Sequence, residues 1–516
     1  MPRQQIYTLL IVISAALMFG RIMAVDRVDF QQLQNSRLAH IQSRLDAKEA
    51  DLRTKTDNEE GIRAELEKTR QNLLRDAMFE TPMLSGNDRS RWCTIRALVE
   101  PDMRVVRKVT NQDGTERYEY VWYAIDKVQD VKGWDTIDMV KHGRKNQPEK
   151  GYLYSSKPPL LPTLMAIPYA VMYLGSNGRI TLENHPYYVV RITLLLVHLL
   201  PLVVGWFLLA RLIERFGTTD WGRIFCVAFV CFGTFLSTFV VTLNNHLPAV
   251  FCVTVAMYCG VRVFFDGETR LRYFFCAGFC SAFVVFCELP ALSFLGLLGL
   301  AMLLKFPKQT LLAGAPAALL VLASHCITNY TAHETVIPAY GKRDWYFYEY
   351  ERGGIVRDSY WKNPIGVDRG EPNRGDYILH STVGHHGIFL LTPVWILSFL
   401  GLGMWLVYPF DVRYRWTALG ILLMSFIVFA FYMAMEQGNR NYGGMTCALR
   451  WMFWFAPMWS VPLVSVADRL SYLRIGRVFC LLLLAVSVFS AAYPIWNPWS
   501  MPWPYRLMVY WGWPVI

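Results

Sequence analysis

Long apolar runs separated by short polar breaks fill most of this chain. They lie at about 6–24, 187–210, 222–241, 246–264, 271–288, 290–304, 309–327, 386–408, 416–435, 451–468 and 476–495. Most are about 18–24 residues long, enough to cross a hydrocarbon core of roughly 30 Å. Backbone groups in lipid must be satisfied within the segment, so these runs predict helices. The expected fold is an all-α polytopic membrane protein with about eleven transmembrane helices and large extracytoplasmic loops.

The polar breaks give that pattern a direction. Arg211, Arg215 and Arg223 fall in one break; Arg262, Arg270 and Arg272 in a later one; then Lys305 and Lys308; then Arg413 and Arg415; then Arg469, Arg474 and Arg477. The breaks between these, at Asn244–Asn245 and Glu288–Pro290, carry no basic residue. Positive-inside bias puts the basic set in the cytoplasm. The expected organisation is a first transmembrane helix at 1–24, an extracytoplasmic loop at 25–186 and helices two to seven at 187–327. A second external loop follows at 328–385, then helices eight to eleven at 386–495 and an aromatic, proline-rich external tail at 496–516. The N-terminus is cytoplasmic in this map, and the membrane is the plasma (inner) membrane. The run Ile6–Ala24 has no clear small-residue cleavage site and fits an uncleaved span better than a signal peptide.

One further run, Pro158–Leu174, would break the alternation if it crossed. It holds Pro158, Pro159, Pro162 and Pro168 and follows Lys157. An interfacial or re-entrant segment restores every later loop to its side.

Between the apolar runs lie three segments of different character. Residues 30–78 are highly charged, with Leu33, Leu38, Ile41, Leu45, Leu52, Leu66 and Leu73 at loosely helical spacing. The repeat breaks between Leu52 and Ile62, which favours a solvated helix or helical hairpin over a coiled coil. Residues 101–150 mix polar and aromatic positions and suggest a short strand pair with a loop. Residues 328–384 carry Tyr340, Trp345, Tyr346, Tyr348, Tyr350, Tyr360 and Trp361, aromatics that suit a membrane interface or a sugar-binding surface.

Composition supports the membrane reading: 54% of the 516 residues are hydrophobic. The net charge of +11 punctuates the helix breaks and forms no continuous tract, so nucleic acid is not an expected partner. Most of the eleven cysteines lie inside apolar runs, with no CxxC pair, and behave as small apolar residues.

Three external constellations carry candidate chemistry. The first is Gly86-Asn87-Asp88-Arg89-Ser90-Arg91-Trp92 before a helical stretch Cys93–Glu100. An acid there is either a helix cap or a general base at the membrane surface. The second is Ser155-Ser156-Lys157-Pro158-Pro159-Leu160, which fixes an ammonium at headgroup depth, as a snorkelling lysine or a phosphate ligand. The third is Asn441-Tyr442-Gly443-Gly444 followed by Arg450-Trp451, where the arginine either anchors the interface or grips a phosphate bidentately.

In their order and on a common side, these motifs resemble the GT-C superfamily of membrane glycosyltransferases, which includes protein O-mannosyltransferases and aminoarabinose transferases acting on lipid A. Asn87-Asp88 with Arg96-Ala97-Leu98-Val99-Glu100 is similar to that family's acidic motif and following helix. Lys157-Pro158-Pro159-Leu160 is similar to its Lys-Pro-Pro-Leu motif, and Gly443–Arg450 to its late arginine stretch. The resemblance implies a GT-C-like fold and an inverting, hexosyltransferase-like reaction that moves a sugar from a polyprenyl-phosphate donor to an external lipid, glycan or protein. It implies Asp88 as general base and Lys157 and Arg450 on the donor phosphate, with Asn87, Arg91 and Tyr442 in support. The first motif reads Asn-Asp where many relatives have Asp-Glu, and inserted segments flank it. The catalytic carboxylate therefore stays open between Asp88, Asp126, Asp135 and Asp138. No cofactor is evident. A divalent cation is open, but the nearest ligand cluster, His380 with His385-His386, suits an interface or core role better.

Two other classes remain. A transporter would show intramembrane charges or paired broken helices; Glu288 is the one obvious near-membrane acid, and no inverted repeat is visible. A non-catalytic scaffold would account for 30–80 and need no carboxylate.

Overall fold

The computed structural model describes residues 2–25, 30–77, 82–110, 113, 115–131, 133–145, 147–352, 355–408, 410–494 and 496–513. Parts of the segments discussed above, including 26–29, 78–81 and 514–516, lie outside the described residues.

Among the described residues six helices are long and apolar enough to cross a membrane: Arg3–Ala24, Pro186–Phe216, His246–Phe264, Pro307–His333, Val412–Met433 and Arg474–Ala492. Shorter apolar helices span Leu160–Gly175, Leu271–Cys287, Leu289–Lys305 and Val394–Val407. Large apolar side chains stand bare on their flanks, among them Leu304, Leu319, Phe426, Ile475 and Leu482. Such faces need lipid or a partner, and the chain is a multi-pass membrane protein.

Among the described residues the expected count of eleven full-length spans is not reached, and prolines and a glycine mark where the apolar runs are interrupted. The run 222–241 is not one helix. Asp220–Phe232 stops at Gly233, and the chain turns through Thr234–Thr238 into a short 3-10 turn, Phe239–Val241, whose side chains are all buried. Those residues are apolar because the protein covers them. The run 386–408 breaks at Pro393 into Ile388–Leu391 and Val394–Val407. The run 451–468 opens as the 3-10 segment Arg450–Phe455 and becomes α-helical at Ala456–Ser471, with Pro457 in its first turn. At two prolines inside the longest helices the ladder widens instead: π turns at Leu195–Leu199 and Thr310–Gly314 precede Pro201 and Pro316.

Ala456–Ser471 is the buried centre. Thirteen of its 16 residues are buried, and Val394–Val407 packs so closely on it that a Cβ at Gly401 would stand 2.2 Å from the Pro462 carbonyl oxygen. Trp405 and Trp459 donate their indole N–H groups to Ser465 and Ser425 at 2.8 and 3.0 Å, which satisfies both donors away from water.

The chain is mostly helical but not all-α. Three two-stranded antiparallel hairpins occupy the loops: Val105–Thr110 with Glu116–Val121, Met139–Arg144 with Gln147–Ser155, and Glu349–Arg352 with Ile355–Asp358. Residues 30–77 form a helical hairpin, Phe30–Arg53 and Glu59–Ala77, whose turn falls where the leucine repeat breaks.

Helix connections sort into two polar layers. At one end Arg3 pairs with Glu214 and Asp220, Arg215 with Asp266 at 2.6 Å, and Arg413 donates to the carbonyls of Phe264 and Phe265. This is the layer of basic loops. The opposite end gathers the hairpins, the turns at Asn244–His246 and Cys287–Ala291, and the loops before Arg450, linked by the bonds described next.

Candidate functional site

The helix Gly86–Val99 starts earlier than the expected Cys93 because Ser85 caps it. The Ser85 hydroxyl accepts from Asn87 N and Asp88 N at 3.1 and 3.3 Å, and Asp88 accepts in return from Ser85 N at 2.8 Å. Asp88 is thus the acid of a reciprocal capping box. Its other oxygen accepts from Leu84 N at 3.0 Å and from the Thr242 hydroxyl at 2.9 Å. The carboxyl is only 1% exposed. Burial raises its proton affinity, and the hydrogen bonds from Ser85, Thr242 and Leu84 pull the other way.

Arg91 lies one turn further on. Nη1 donates to Asn87 Oδ1 at 2.6 Å, and Nη2 to Asn245 Oδ1 at 2.7 Å. Asn87 therefore braces Arg91 along one helix face. Burial and the neighbouring Arg450 lower the Arg91 guanidinium to about 10.

Lys157 is placed by strand register. Met139 faces Ser155, and the pairing continues past the strand ends as Ser156 N donates to Asp138 O at 3.0 Å. The next side chains meet: Lys157 Nζ sits 2.9 Å from Asp138 Oδ1. Pro158 and Pro159 then launch the helix Leu160–Gly175. The Ser90 hydroxyl donates to the Asp138 carbonyl at 2.5 Å and contacts the Ser155 hydroxyl at 2.6 Å, tying the Asp88 helix to this hairpin.

Arg450 is placed by a left-handed turn. Tyr442, Gly443 and Gly444 have φ of 58°, 99° and 84° in succession, a conformation that only glycine adopts without strain. The turn aims the Gly443 carbonyl at Arg450 Nε and Nη2, at 2.9 and 2.5 Å. The guanidinium also lies 4.9 Å over the Trp499 ring, and Trp499 Nε1 donates to Thr242 Oγ1 at 2.9 Å. Thr242 and Trp499 thereby join Asp88 to Arg450.

Arg91, Lys157 and Arg450, read from three distant motifs, converge. Arg91 and Arg450 are buried and the Lys157 side chain is 20% exposed; burial lowers the Lys157 ammonium, Asp138 opposes that, and both arginines reinforce it. Asp368 faces the same place and accepts from the Tyr360 hydroxyl at 2.9 Å. Tyr442 does not join the cations. Its hydroxyl donates to Glu371 at 3.0 Å and its ring stacks on His386. Asp126 accepts from Leu153 N at 3.2 and 3.1 Å, and Asp135 is exposed, with its carbonyl accepting from Arg89. His385 and His386 are buried, with Nδ1 atoms 2.6 Å apart and His380 stacked on His385. Among the described residues no group of three or more His, Cys, Asp or Glu side chains is placed to hold a metal ion.

Sequence motifs missed Asn245, His246 and Asp368. The signal for the first two was a polar Asn-Asn-His step between apolar runs that carries no basic residue. Glu288, noted only as a near-membrane acid, pairs with His246.

No family model matches the sequence, and no curated protein does. Among solved structures, the chain is similar to the Archaeoglobus fulgidus oligosaccharyltransferase in its apo form, at 12% identity and a TM-score of 0.41, over 82% of this chain and 53% of that one. It is also similar to the archaeal oligosaccharyltransferase AglB from Archaeoglobus fulgidus in complex with an inhibitory peptide and a dolichol-phosphate, at 12% identity and a TM-score of 0.35, over 67% and 47%. The chain spans about half the length of those proteins. At this overlap neither fold nor activity carries over.

Proposed function

We propose that this protein is a membrane glycosyltransferase that takes a sugar from a polyprenyl-phosphate donor and passes it to an acceptor hydroxyl on the extracytoplasmic face of the plasma membrane, its N-terminus cytoplasmic. The observation that carries the reading is the convergence of Arg91, Lys157 and Arg450, from three separate motifs, in one largely buried network: Lys157 pairs with Asp138, whose carbonyl accepts from Ser90 on the Arg91 helix, and Arg91 and Arg450 meet through Asn245, Glu288 and His246. Cations gathered out of water repel one another and gain most from a multiply charged anion. A phosphate anion there would sit among N–H donors.

In this mechanism the acceptor hydroxyl attacks the anomeric carbon as the bond to the phosphate oxygen breaks, and the centre inverts. Lys157, Arg91 and Arg450 stabilise the negative charge that grows on the departing polyprenyl phosphate. A stabilised phosphate leaves without a proton, so one carboxylate suffices, as general base. Asp88 takes that role by exchanging its bond from Thr242 for one from the acceptor. Asp138 is the second reading, favoured by a specific observation. Among the described residues its carboxylate accepts one hydrogen bond, from Lys157, whereas that of Asp88 accepts four.

Mass spectrometry of glycans, glycolipids and glycoproteins from cells with and without the gene tests the reading. The expected result is a mass loss of one sugar on a defined acceptor. Identical profiles would favour a scaffold.

A further inference from the structure

Arg450 Nη1 stands 2.7 Å from His246 Nε2. A guanidinium can only donate, so this ring nitrogen accepts and carries no proton. The ring proton is then on Nδ1, which donates to Glu288; the tautomer follows from the network. Glu288 Oε1 also accepts from Asn245 Nδ2 at 2.8 Å, and Asn245 Oδ1 accepts from Arg91 Nη2 at 2.7 Å. One carboxylate thus reaches two guanidiniums, each through one neutral side chain. His246 and Glu288 are 1% and 5% exposed, so water is poorly placed to replace either. The Phe239 and Phe453 rings meet His246 edge-on and fix its plane.

The neutral spacer matters. A carboxylate bonded directly to Arg450 would orient it but cancel much of its charge. His246 orients the same guanidinium and keeps the carboxylate one ring away. Among the described residues three of the five Arg450 N–H groups are used, by Gly443 and His246, which leaves two for a ligand.

We propose that His246 and Glu288 are positioning residues of the phosphate site, fixing the direction in which Arg450, and through Asn245 Arg91, present their remaining N–H groups to a phosphate anion. The inference rests on the phosphate reading above and adds residues outside its three motifs.

The test is binding of undecaprenyl phosphate to the full-length protein in lipid nanodiscs. His246→Phe keeps an aromatic ring and removes the acceptor, and binding should weaken about tenfold or more. His246→Gln returns an acceptor oxygen and should recover most of that loss, which a purely structural role would not predict. Glu288→Gln should weaken binding less than His246→Phe. Because His246 acts through Arg450, His246→Phe combined with Arg450→Ala should bind no worse than Arg450→Ala alone. Wild-type binding by His246→Phe, or additive losses in the double variant, would overturn the proposal. If His246→Phe fails to fold, wild-type binding by Glu288→Gln overturns it instead. Wild-type binding by Arg450→Ala would sink the phosphate reading itself, whatever His246 does.

Discussion

The Lys157 ammonium is held 2.9 Å from the Asp138 carboxylate by the register of one hairpin, with side chains only 20% and 11% exposed. Neither group is a free surface charge. The lysine that the Lys-Pro-Pro step places at the membrane surface is therefore both a candidate phosphate ligand and half of a largely buried ion pair. Removing it has consequences for folding as well as for ligand binding.

Lys157→Ala should destabilise the protein, because it leaves Asp138 buried without its partner. The expected cost is about 1–3 kcal/mol, read as a lower melting temperature in detergent. Lys157→Met combined with Asp138→Asn should melt closer to wild type than Lys157→Ala does. Equal melting of Lys157→Ala and wild type would contradict the pairing.

Gly443→Ala tests the left-handed turn. A Cβ there would stand 2.8 Å from Arg450 Nε at a φ of +99°, and such strain costs on the order of 1–3 kcal/mol. The turn relaxes by moving the Gly443 carbonyl away from Arg450. Undecaprenyl phosphate binding should fall about tenfold, equivalent to about 1.4 kcal/mol, while the fold persists. Unchanged binding would show that the carbonyl does not place the guanidinium.

How much of this was legible in the chain depends on the distance over which each relationship acts. Asn87 and Arg91 are one helical turn apart, and Lys157-Pro158-Pro159 is continuous, so local pattern reached them. The helical hairpin at 30–77 was legible because the leucine repeat itself breaks. The pair of His246 and Glu288 is separated by 42 positions and exists because two packed helices have ends in the same layer; no local pattern encodes that. Asp138 meets Lys157 through hairpin register, which a single sequence leaves open. The run 222–241 misled because hydrophobicity reports burial without saying whether lipid or protein does the covering.

Asp126 gives a pH prediction. Burial lifts its carboxyl to about 6, above its ordinary value near 3.8. Because the folded value is raised, the protonated form is the stabilising one. Its contribution is complete below about pH 4 and is lost as pH rises through about 6. Asp126→Asn keeps an acceptor for Leu153 N and cannot ionise. Melting temperatures of variant and wild type should converge at pH 4 and separate by pH 7.5, with the variant higher. Parallel curves would refute the assignment.

The two polar layers predict accessibility. The native cysteines are buried or partly buried, so in intact cells an impermeant thiol reagent should label Lys362→Cys and miss Arg270→Cys. Labelling of position 270 alone would invert the proposed orientation, and labelling of both would break the segregation of the layers.

Turnover of a polyprenyl-phosphate hexose by the purified protein in proteoliposomes, with a membrane and glycan extract supplying acceptors, tests the central claim most directly. The wild type should release polyprenyl phosphate and move the hexose to one acceptor class. Arg450→Ala should lose that activity, and Asp88→Asn should lose about 10²–10⁴-fold if Asp88 is the base; an equal loss in Asp138→Asn with Asp88→Asn active would move the base to Asp138. Full turnover by Arg450→Ala, or none by the wild type with any acceptor fraction, would contradict the account.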